Sequence, residues 1–228
     1  MSAARDSEPG VPLDDTDDPA AAFVARARQR LNLDVPPALS DLAAEGARGD
    51  LDVDPDLWAR AGVQATRPAA VLVPIVARPE PSILLTQRTP DLSSHSGQIA
   101  FPGGKIDPTD ESPLAAALRE ANEEVGLDAH FVEPLGYLDL YLTFSGYRIL
   151  PLVARVSPDY TMNLNPHEVA DAFEVPLDFL MHPDNHQLLQ RDWKGVQRRY
   201  FAMPFGERYI WGVTAGILRN LYERIYRG

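Results

Sequence analysis

The sequence predicts an α+β fold, an α/β/α sandwich in which a mixed β-sheet lies between helices. Apolar segments typical of strands stand both before and after an amphipathic helical segment near residues 113–125. A second amphipathic helix is predicted at residues 210–226, with Ile217, Leu218, Leu221 and Ile225 on its apolar side. Helices on both sides of a sheet can cover its two faces. The 228 residues, 45% of them hydrophobic, are enough for a sizeable core.

The chain divides by composition into three parts. Residues 1–20 are rich in Asp, Pro and small residues, which predicts a disordered acidic tail. Residues 21–67 predict an N-terminal helical extension, and residues 68–228 predict the main domain. Within the extension, the helices are expected at 21–31, 39–45 and 54–61.

In the main domain, β-branched and apolar runs bounded by Gly, Pro, Asn or Asp predict the strands. The first two are expected to pair as a hairpin across residues 79–81. A short helical turn is expected at 177–181. The strands are predicted at 69–78, 82–88, 97–101, 131–143, 147–156, 170–175, 188–192 and 198–203.

Composition excludes several classes of function. The chain has no cysteine, so disulfides, thiolate metal sites and cysteine nucleophiles are excluded. No apolar run is long enough to cross a membrane, and the N-terminus lacks the apolar segment of a secretory signal, so a cytoplasmic location is expected. A formal net charge of -12 argues against binding a nucleic-acid backbone.

Three carboxylates on the first amphipathic helix predict a metal site. Glu120, Glu123 and Glu124 stand at i, i+3 and i+4 and therefore share one helical face, directed to solvent or a cleft. Like charges repel there unless a cation lies among them. Mg²⁺ and Mn²⁺ prefer such oxygen ligands. Ser112 and Pro113 suit the start of this helix, and Gly126 suits its end.

The segment FPGGKIDPTDESPLAAALREANEEVGL at residues 101–127 resembles the Nudix box, Gx5Ex7REUxEExGU, where U is a bulky aliphatic residue. Its REANEEVGL half matches the box, with Ala121 as a small U. Six residues rather than five separate Gly104 from Glu111. Asp110 therefore fits the first spacing of the box and Glu111 fits the second, and the loop acid remains open between them.

The resemblance implies a Nudix fold and hydrolysis of a nucleoside diphosphate derivative with Mg²⁺ or Mn²⁺. The implied metal ligands are Glu120, Glu123, Glu124 and the carbonyl of Gly104. Arg119 would orient a ligand carboxylate, or else form an ordinary ion pair with Glu123. The implied catalytic residues are Glu120, Arg119 and a general base.

That base is expected outside the box helix. Glu168, in the exposed stretch NPHEV, is the candidate for base or extra metal ligand, and Glu174 is its rival. His167 is expected to be a surface residue.

The residues before the box narrow the substrate. LLTQR at residues 84–88, followed by Gly97 and FPGG, is similar to the signature of the coenzyme A pyrophosphatase branch. Thr89 replaces a small residue of that signature and Ser93 replaces an arginine. The resemblance implies cleavage of coenzyme A into 4′-phosphopantetheine and adenosine 3′,5′-bisphosphate. The implied substrate-binding residues are Arg88, Gly103, Lys105 and Arg148.

Two alternatives stay open. One is a Nudix hydrolase for another nucleoside diphosphate derivative, such as ADP-ribose or NADH. The other is a non-catalytic Nudix domain that senses a ligand. If the protein is an enzyme, a small-molecule substrate is expected, and no nucleic-acid or membrane partner is expected. Residues 1–67 could provide a homodimer surface.

Overall fold

The computed structural model describes residues 18–62, 64–90, 96–193 and 195–227. The tail predicted at residues 1–20 therefore lies outside the described residues except for its last three, and Ser93 lies outside them as well. The described strands are β1 (Arg48–Gly49), β2 (Arg67–Val76), β3 (Ser82–Arg88), β4 (Ile99–Ala100), β5 (Gly103–Lys105), β6 (Val132–Tyr137), β7 (Tyr141–Leu142), β8 (Tyr147–Val156), β9 (Val169–Pro176), β10 (Gln187–Trp193), β11 (Val196–Phe205) and β12 (Arg208–Trp211).

Nine of these strands form one mixed sheet. Its path runs β1-β7-β8-β2-β3-β4, with β5 paired to β2, β6 to β8 and β9 to β3. The β2–β8 and β1–β7 pairs are parallel, and the others are antiparallel. The predicted β2–β3 hairpin is confirmed, with Ile75 opposite Ile83. Strands β10, β11 and β12 form a separate antiparallel sheet.

The helices are α1 (Pro19–Arg30), α2 (Asp50–Val53), α3 (Pro55–Ala61), α4 (Pro113–Val125), α5 (Leu177–Met181) and α6 (Val213–Tyr222), and α6 continues into a π-helical turn at Glu223–Arg227. Short 3₁₀ turns lie at Pro37–Leu39, Ala129–Phe131 and Pro183–Asn185. None of the described helices is long and apolar enough to cross a membrane.

Two apolar cores lie on opposite faces of the large sheet. On one face, the alanines of α4 pack against small and aliphatic side chains of β2, β3 and β8. On the other face, α1, α5, α6 and the small sheet pack against the alternate side chains of the same strands. Side chains in a strand alternate between the two faces, so one strand serves both cores. The predicted α+β sandwich is confirmed.

The N-terminal extension contributes to both cores: Ala38 lies in the core beside α4, and α1 lies in the other. Phe23 and Ala27 of α1 are buried there, and β1 adds a parallel strand to the large sheet. Arg148, expected to bind substrate, is buried and donates to the backbone carbonyls of Ala38, Ala65 and Asp41 in this extension. That expectation is corrected. Both terminal nitrogens of the guanidinium hold the extension against β8, whereas its Nε is buried without a partner among the described residues.

Two other expectations about helices were wrong. The helix expected at 39–45 is only the 3₁₀ turn Pro37–Leu39, because the Asp41 side chain accepts from Ala43 N and forms a local turn instead of a continuous helix. The last helix begins at Val213 rather than at residue 210 because Ile210 and Trp211 belong to β12. Gly212 separates the two elements with a positive φ of 64°.

Candidate active site

Helix α4 begins and ends as its sequence predicts. The Ser112 side chain accepts a hydrogen bond from Ala115 N, and Pro113 occupies the first helical position. Gly126 ends the helix in the left-handed region, with φ 70°. These features set the two ends of α4, and the packing of its buried alanines against the sheet sets the direction of its other side chains.

Glu124 lies beneath the glycine loop. Its side chain is only 3% exposed, and Gly103 N donates to its Oε2 at 3.1 Å. Arg88 Nη1 lies 3.7 Å from its Oε1. Burial raises the pKa of Glu124 to about 7, more than the Gly103 hydrogen bond and Arg88 lower it. A carboxylate buried in this way favours a bound cation or proton.

Glu120 occupies the space beside Gly104. A Cβ placed on Gly104 would lie 2.5 Å from the carboxyl carbon of Glu120, so a larger residue there would displace this carboxylate. Burial is the main cause that raises the pKa of Glu120. Glu123, one turn further on the outer side of the helix, is 54% exposed. The three glutamates therefore do not share one environment.

Arg119 joins the loop to the helix. Its Nε and Nη2 donate to the two carboxylate oxygens of Asp110 at 2.9 and 3.0 Å. Its Nη1 donates to Glu120 at 3.0 Å and to Glu123 at 2.9 Å. Arg119 lowers the pKa of Asp110, mainly by hydrogen bonding. The ion pair with Glu123 that the sequence left open is therefore present, as one part of a larger network.

The same network resolves the ambiguity of the loop acid. Asp110 has a side chain only 6% exposed and also accepts a hydrogen bond from Asp107 N at 2.8 Å. Glu111 is exposed. The extra loop residue is accommodated by using the first acid, which is one carbon shorter, as the partner of Arg119.

Glu168 lies close to the two less exposed glutamates. Burial is the largest cause of the raised pKa of Glu120 and of Glu124, and the negative charge of Glu168 contributes to both shifts. Thr89 N donates to the backbone carbonyl of Glu168 at 3.0 Å, which ties this loop to the end of β3 beside Arg88. The fold thus brings a loop some 40 residues along the chain back to α4.

Glu174, the rival base, is held in a separate network. Its two oxygens accept hydrogen bonds from Arg78 at 2.8 and 2.7 Å, and it also binds Ser82 and Tyr160. Arg78 is the main cause that lowers the pKa of Glu174. An ionised carboxylate with these partners has little capacity to accept a proton. His167 is exposed, and its backbone N donates to Asn165 Oδ1.

The remaining predicted substrate residues lie on the same loop or at its border. Lys105 is exposed, and its carbonyl accepts from Arg119 Nη2 at 3.3 Å. Arg88 is half-buried, and its Nε is buried without a hydrogen-bond partner among the described residues. Such a donor is suited to an anionic ligand. Gly103 has φ 150°, and a Cβ there would lie 2.5 Å from the carbonyl oxygen of Ala70.

The chemistry of this donor set fits a divalent metal ion. Within the ranges that the structure describes, no three acidic or histidine side chains already form a complete ligand set. However, the carboxylates of Glu120, Glu124 and Glu168 affect one another by their charges. Burial is the main cause that raises the pKa of Glu120 and of Glu124. The backbone at Gly104 comes close to the Glu120 carboxylate at the same place. Hard cations such as Mg²⁺ bind carboxylate and carbonyl oxygens of this kind.

Sequence reasoning missed Asn163 and Asn165. Asn165 N donates to Glu124 O and Asn163 N donates to Val125 O, each at 2.9 Å, so both residues bind carbonyls at the end of α4. The available signal was Asn165-Pro166, a dipeptide typical of turns, three residues before Glu168.

Comparison with known proteins identifies one protein family. The NUDIX domain family model matches residues 66–197. "Uncharacterized Nudix hydrolase NudL" of Escherichia coli strain K12 is 43% identical over 159 residues, which are 70% of this chain and 83% of that protein. The NudL protein of Yersinia pestis strain Pestoides F is 42% identical over 159 residues, 70% of this chain and 80% of that protein. Among solved structures, DR0079 of Deinococcus radiodurans is 15% identical with a TM-score of 0.47, covering 70% of this chain and 85% of its own.

The family match spans more than half of the chain and includes the box helix, the glycine loop and Glu168. The chain therefore belongs to the Nudix family and is a Nudix hydrolase of pyrophosphate bonds.

Proposed function

We propose that the protein hydrolyses the pyrophosphate bond of coenzyme A or its derivatives, releasing 4′-phosphopantetheine and adenosine 3′,5′-bisphosphate. The observation that carries the proposal is the position of Arg88. This last residue of the LLTQR motif lies 3.7 Å from the buried Glu124 and has an unpartnered Nε among the described residues. A donor at the border of a carboxylate cluster can bind a phosphate while the cluster binds the cations that accompany it.

Glu120 and Glu124 serve as metal ligands in this proposal, with Glu123 and the Gly104 carbonyl as further ligands. Mg²⁺ or Mn²⁺ bound there would screen the pyrophosphate oxygens and acidify a water molecule. The chain itself sets the geometry. Arg119 is fixed by Asp110 and in turn orients Glu120, so the direction of that carboxylate does not depend on the ligand.

Glu168 is the proposed general base. It is half-buried and lies close enough to Glu120 and Glu124 to affect the pKa of both. A carboxylate in this position could accept a proton from a water molecule that a cation held by Glu120 and Glu124 would acidify. Glu174 is not suited to the same task because its oxygens are occupied by Arg78, Ser82 and Tyr160.

Another substrate class remains as the second candidate. Coenzyme A carries a 3′-phosphate in addition to its pyrophosphate, which calls for several cationic donors. Because Arg148 is buried in contact with the extension, Arg88 and Lys105 are the remaining candidates of the original set. Substrates with fewer phosphates, such as ADP-ribose or NADH, need fewer such donors and are therefore the second candidate.

Product identification tests the proposal. The purified protein is incubated with coenzyme A and either Mg²⁺ or Mn²⁺, at neutral and alkaline pH, and the products are separated. We expect adenosine 3′,5′-bisphosphate and 4′-phosphopantetheine in equal amounts. Glu124→Gln is the matched control, since it preserves side-chain volume and removes the charge. We expect it to fold and to lose activity by at least about 100-fold. No adenosine 3′,5′-bisphosphate with either metal would overturn the assignment.

A further inference from the structure

The loop that carries Glu168 is bound at both ends to the two elements that hold the site. On one side, Asn163 N and Asn165 N donate to the carbonyls of Val125 and Glu124. These carbonyls belong to the last turn of α4, where backbone acceptors have no partner within the helix. On the other side, the Glu168 carbonyl accepts from Thr89 N at 3.0 Å. The loop is therefore fixed relative to α4 and β3.

Gly126 makes the close approach of this loop possible. A Cβ on Gly126 would lie 2.9 Å from the Cβ of Asn163 and 3.0 Å from its backbone N. Gly126 therefore has two structural roles. It adopts the left-handed backbone that ends α4, and it leaves room for the loop that returns to the site.

Asn165 is the central residue of the loop. Its Oδ1 accepts from His167 N at 3.1 Å, and its backbone carbonyl accepts from Glu168 N at 3.1 Å and Val169 N at 2.9 Å. Its Nδ2 donates to Glu168 Oε1 at 3.4 Å. One side chain thus holds the turn with its oxygen and contacts the Glu168 carboxylate with its amide nitrogen.

We propose that Asn165 is a positioning residue that holds the Glu168 carboxylate toward the pyrophosphate-cleaving site on α4. This inference rests on the proposed role of Glu168 as general base. The amide of Asn165 acts on Glu168 and not on the substrate. Its loss is therefore expected to lower kcat and leave KM nearly unchanged.

Three substitutions separate positioning from turn formation. Asn165→Asp and Asn165→Ser both retain an oxygen that can accept from His167 N. The aspartate has no donor for Glu168. The serine O–H lies one bond nearer the backbone than the amide nitrogen, which is already 3.4 Å from Glu168 Oε1, so it is too short to replace that contact. Asn165→Ala lacks both functions. We expect kcat to fall about 10-fold or more in the Ser and Asp variants, with KM within about 3-fold and an unfolding temperature close to that of the original protein. His167→Ala, which leaves every described hydrogen bond of the loop in place, is the control and should keep its full kcat.

Wild-type kcat in Asn165→Ser would overturn the proposal, whatever the Asp variant does. A loss in Asp alone would reflect repulsion between two carboxylates. A loss restricted to Asn165→Ala would make Asn165 a turn former only.

A double-substitution cycle with Glu168→Ala distinguishes failure of this inference from failure of the proposed base. If Asn165 acts through Glu168, adding Asn165→Ser to Glu168→Ala lowers kcat no further. An additional loss in the double variant would overturn the positioning role. Full activity of Glu168→Ala alone would instead remove Glu168 as the base. The cycle is run with whichever pyrophosphate substrate the wild-type protein turns over, so a wrong assignment of coenzyme A would not affect it.

Discussion

Asp110 and Arg119 form a two-pronged ion pair in which Arg119 Nε and Nη2 donate to separate carboxylate oxygens at 2.9 and 3.0 Å. Parallel hydrogen bonds of this kind fix the plane of the guanidinium. The third nitrogen is left to bind Glu120 and Glu123. Through Arg119, the loop acid thus orients the glutamates of α4.

Replacing Asp110 tests this relationship. Asp110→Asn should lower kcat/KM about 10- to 100-fold, because one of the two charged hydrogen bonds is lost and Arg119 can turn away from Glu120. Steady-state kinetics of the purified variant measures the effect. Glu111→Gln is the matched control and should stay within about 2-fold of the original protein, since Glu111 is exposed. The opposite result would return the loop role to Glu111.

Enlarging Gly104 should damage the site without unfolding the chain. In Gly104→Ala the new Cβ would meet the Glu120 carboxylate at 2.5 Å, so the carboxylate must move. We expect kcat/KM to fall about 10- to 100-fold and the Mg²⁺ concentration for half-maximal activity to rise. Gly206→Ala is the control because a Cβ there meets nothing within 4 Å. It should cost stability of about 1 kcal/mol through its positive φ, with no loss of activity. Full activity of Gly104→Ala would contradict the close contact.

Arg148 should matter for stability and not for substrate binding. Arg148→Met leaves the carbonyls of Ala38, Ala65 and Asp41 without their donor, so we expect a loss of about 2–4 kcal/mol in the free energy of unfolding. Below the unfolding temperature, KM should change less than about 2-fold. Arg155→Gln, a half-exposed position on the same strand, is the control for stability. A large rise in KM with unchanged stability would restore Arg148 to the substrate site.

His186 predicts how stability depends on pH. Burial is the main cause that lowers its pKa from 6.5 to about 4. Its Nε2 lies 2.7 Å from Leu180 O, and Arg219 Nη1 donates toward Nδ1 at 3.5 Å, which fits the neutral ring. Between pH 4 and 6.5 the unfolded chain binds a proton at this residue that the folded chain does not. The stability that the neutral His186 ring contributes is therefore fully present above pH 6.5 and is lost as the pH falls toward 4.

Denaturant unfolding at pH 7 and pH 4.5 measures this loss. The part due to His186 should be about 2 kcal/mol and should disappear in His186→Gln. His182→Gln, at a position whose side chain is 48% exposed, is the control and should keep the original pH dependence. Equal pH dependence in His186→Gln and the original chain would contradict the neutral buried ring.

Local signals predicted much of the fold. Capping at Ser112 and Gly126, the β-branched and apolar runs of β2 and β3, and the carboxylate spacing of α4 each depend on neighbours a few residues away. The predictions were wrong where tertiary contacts decide the local structure. Ile210 and Trp211 continue a helical apolar pattern, but pairing with Met203 and Ala202 places them in β12.

The sequence also predicted part of the candidate site. The box gave the residues on α4, whereas the difference between buried Glu124 and exposed Glu123 arises from where the loop crosses the helix. Arg148 illustrates the same limit. A positive charge close to the box in sequence suggests that it binds a phosphate. Only the packing of the extension shows that the terminal nitrogens of Arg148 donate to three backbone carbonyls instead. Asn165 carries no box signal, since its partners on α4 lie 40 residues earlier in the chain.

The most direct test of the central claim compares kcat/KM for coenzyme A, ADP-ribose and NADH under one set of conditions, with Glu124→Gln as the inactive reference. We predict that kcat/KM for coenzyme A exceeds kcat/KM for each of the other two substrates by at least about 10-fold, because Arg88 and Lys105 would bind the additional phosphate of coenzyme A. A higher kcat/KM for ADP-ribose or NADH would contradict it.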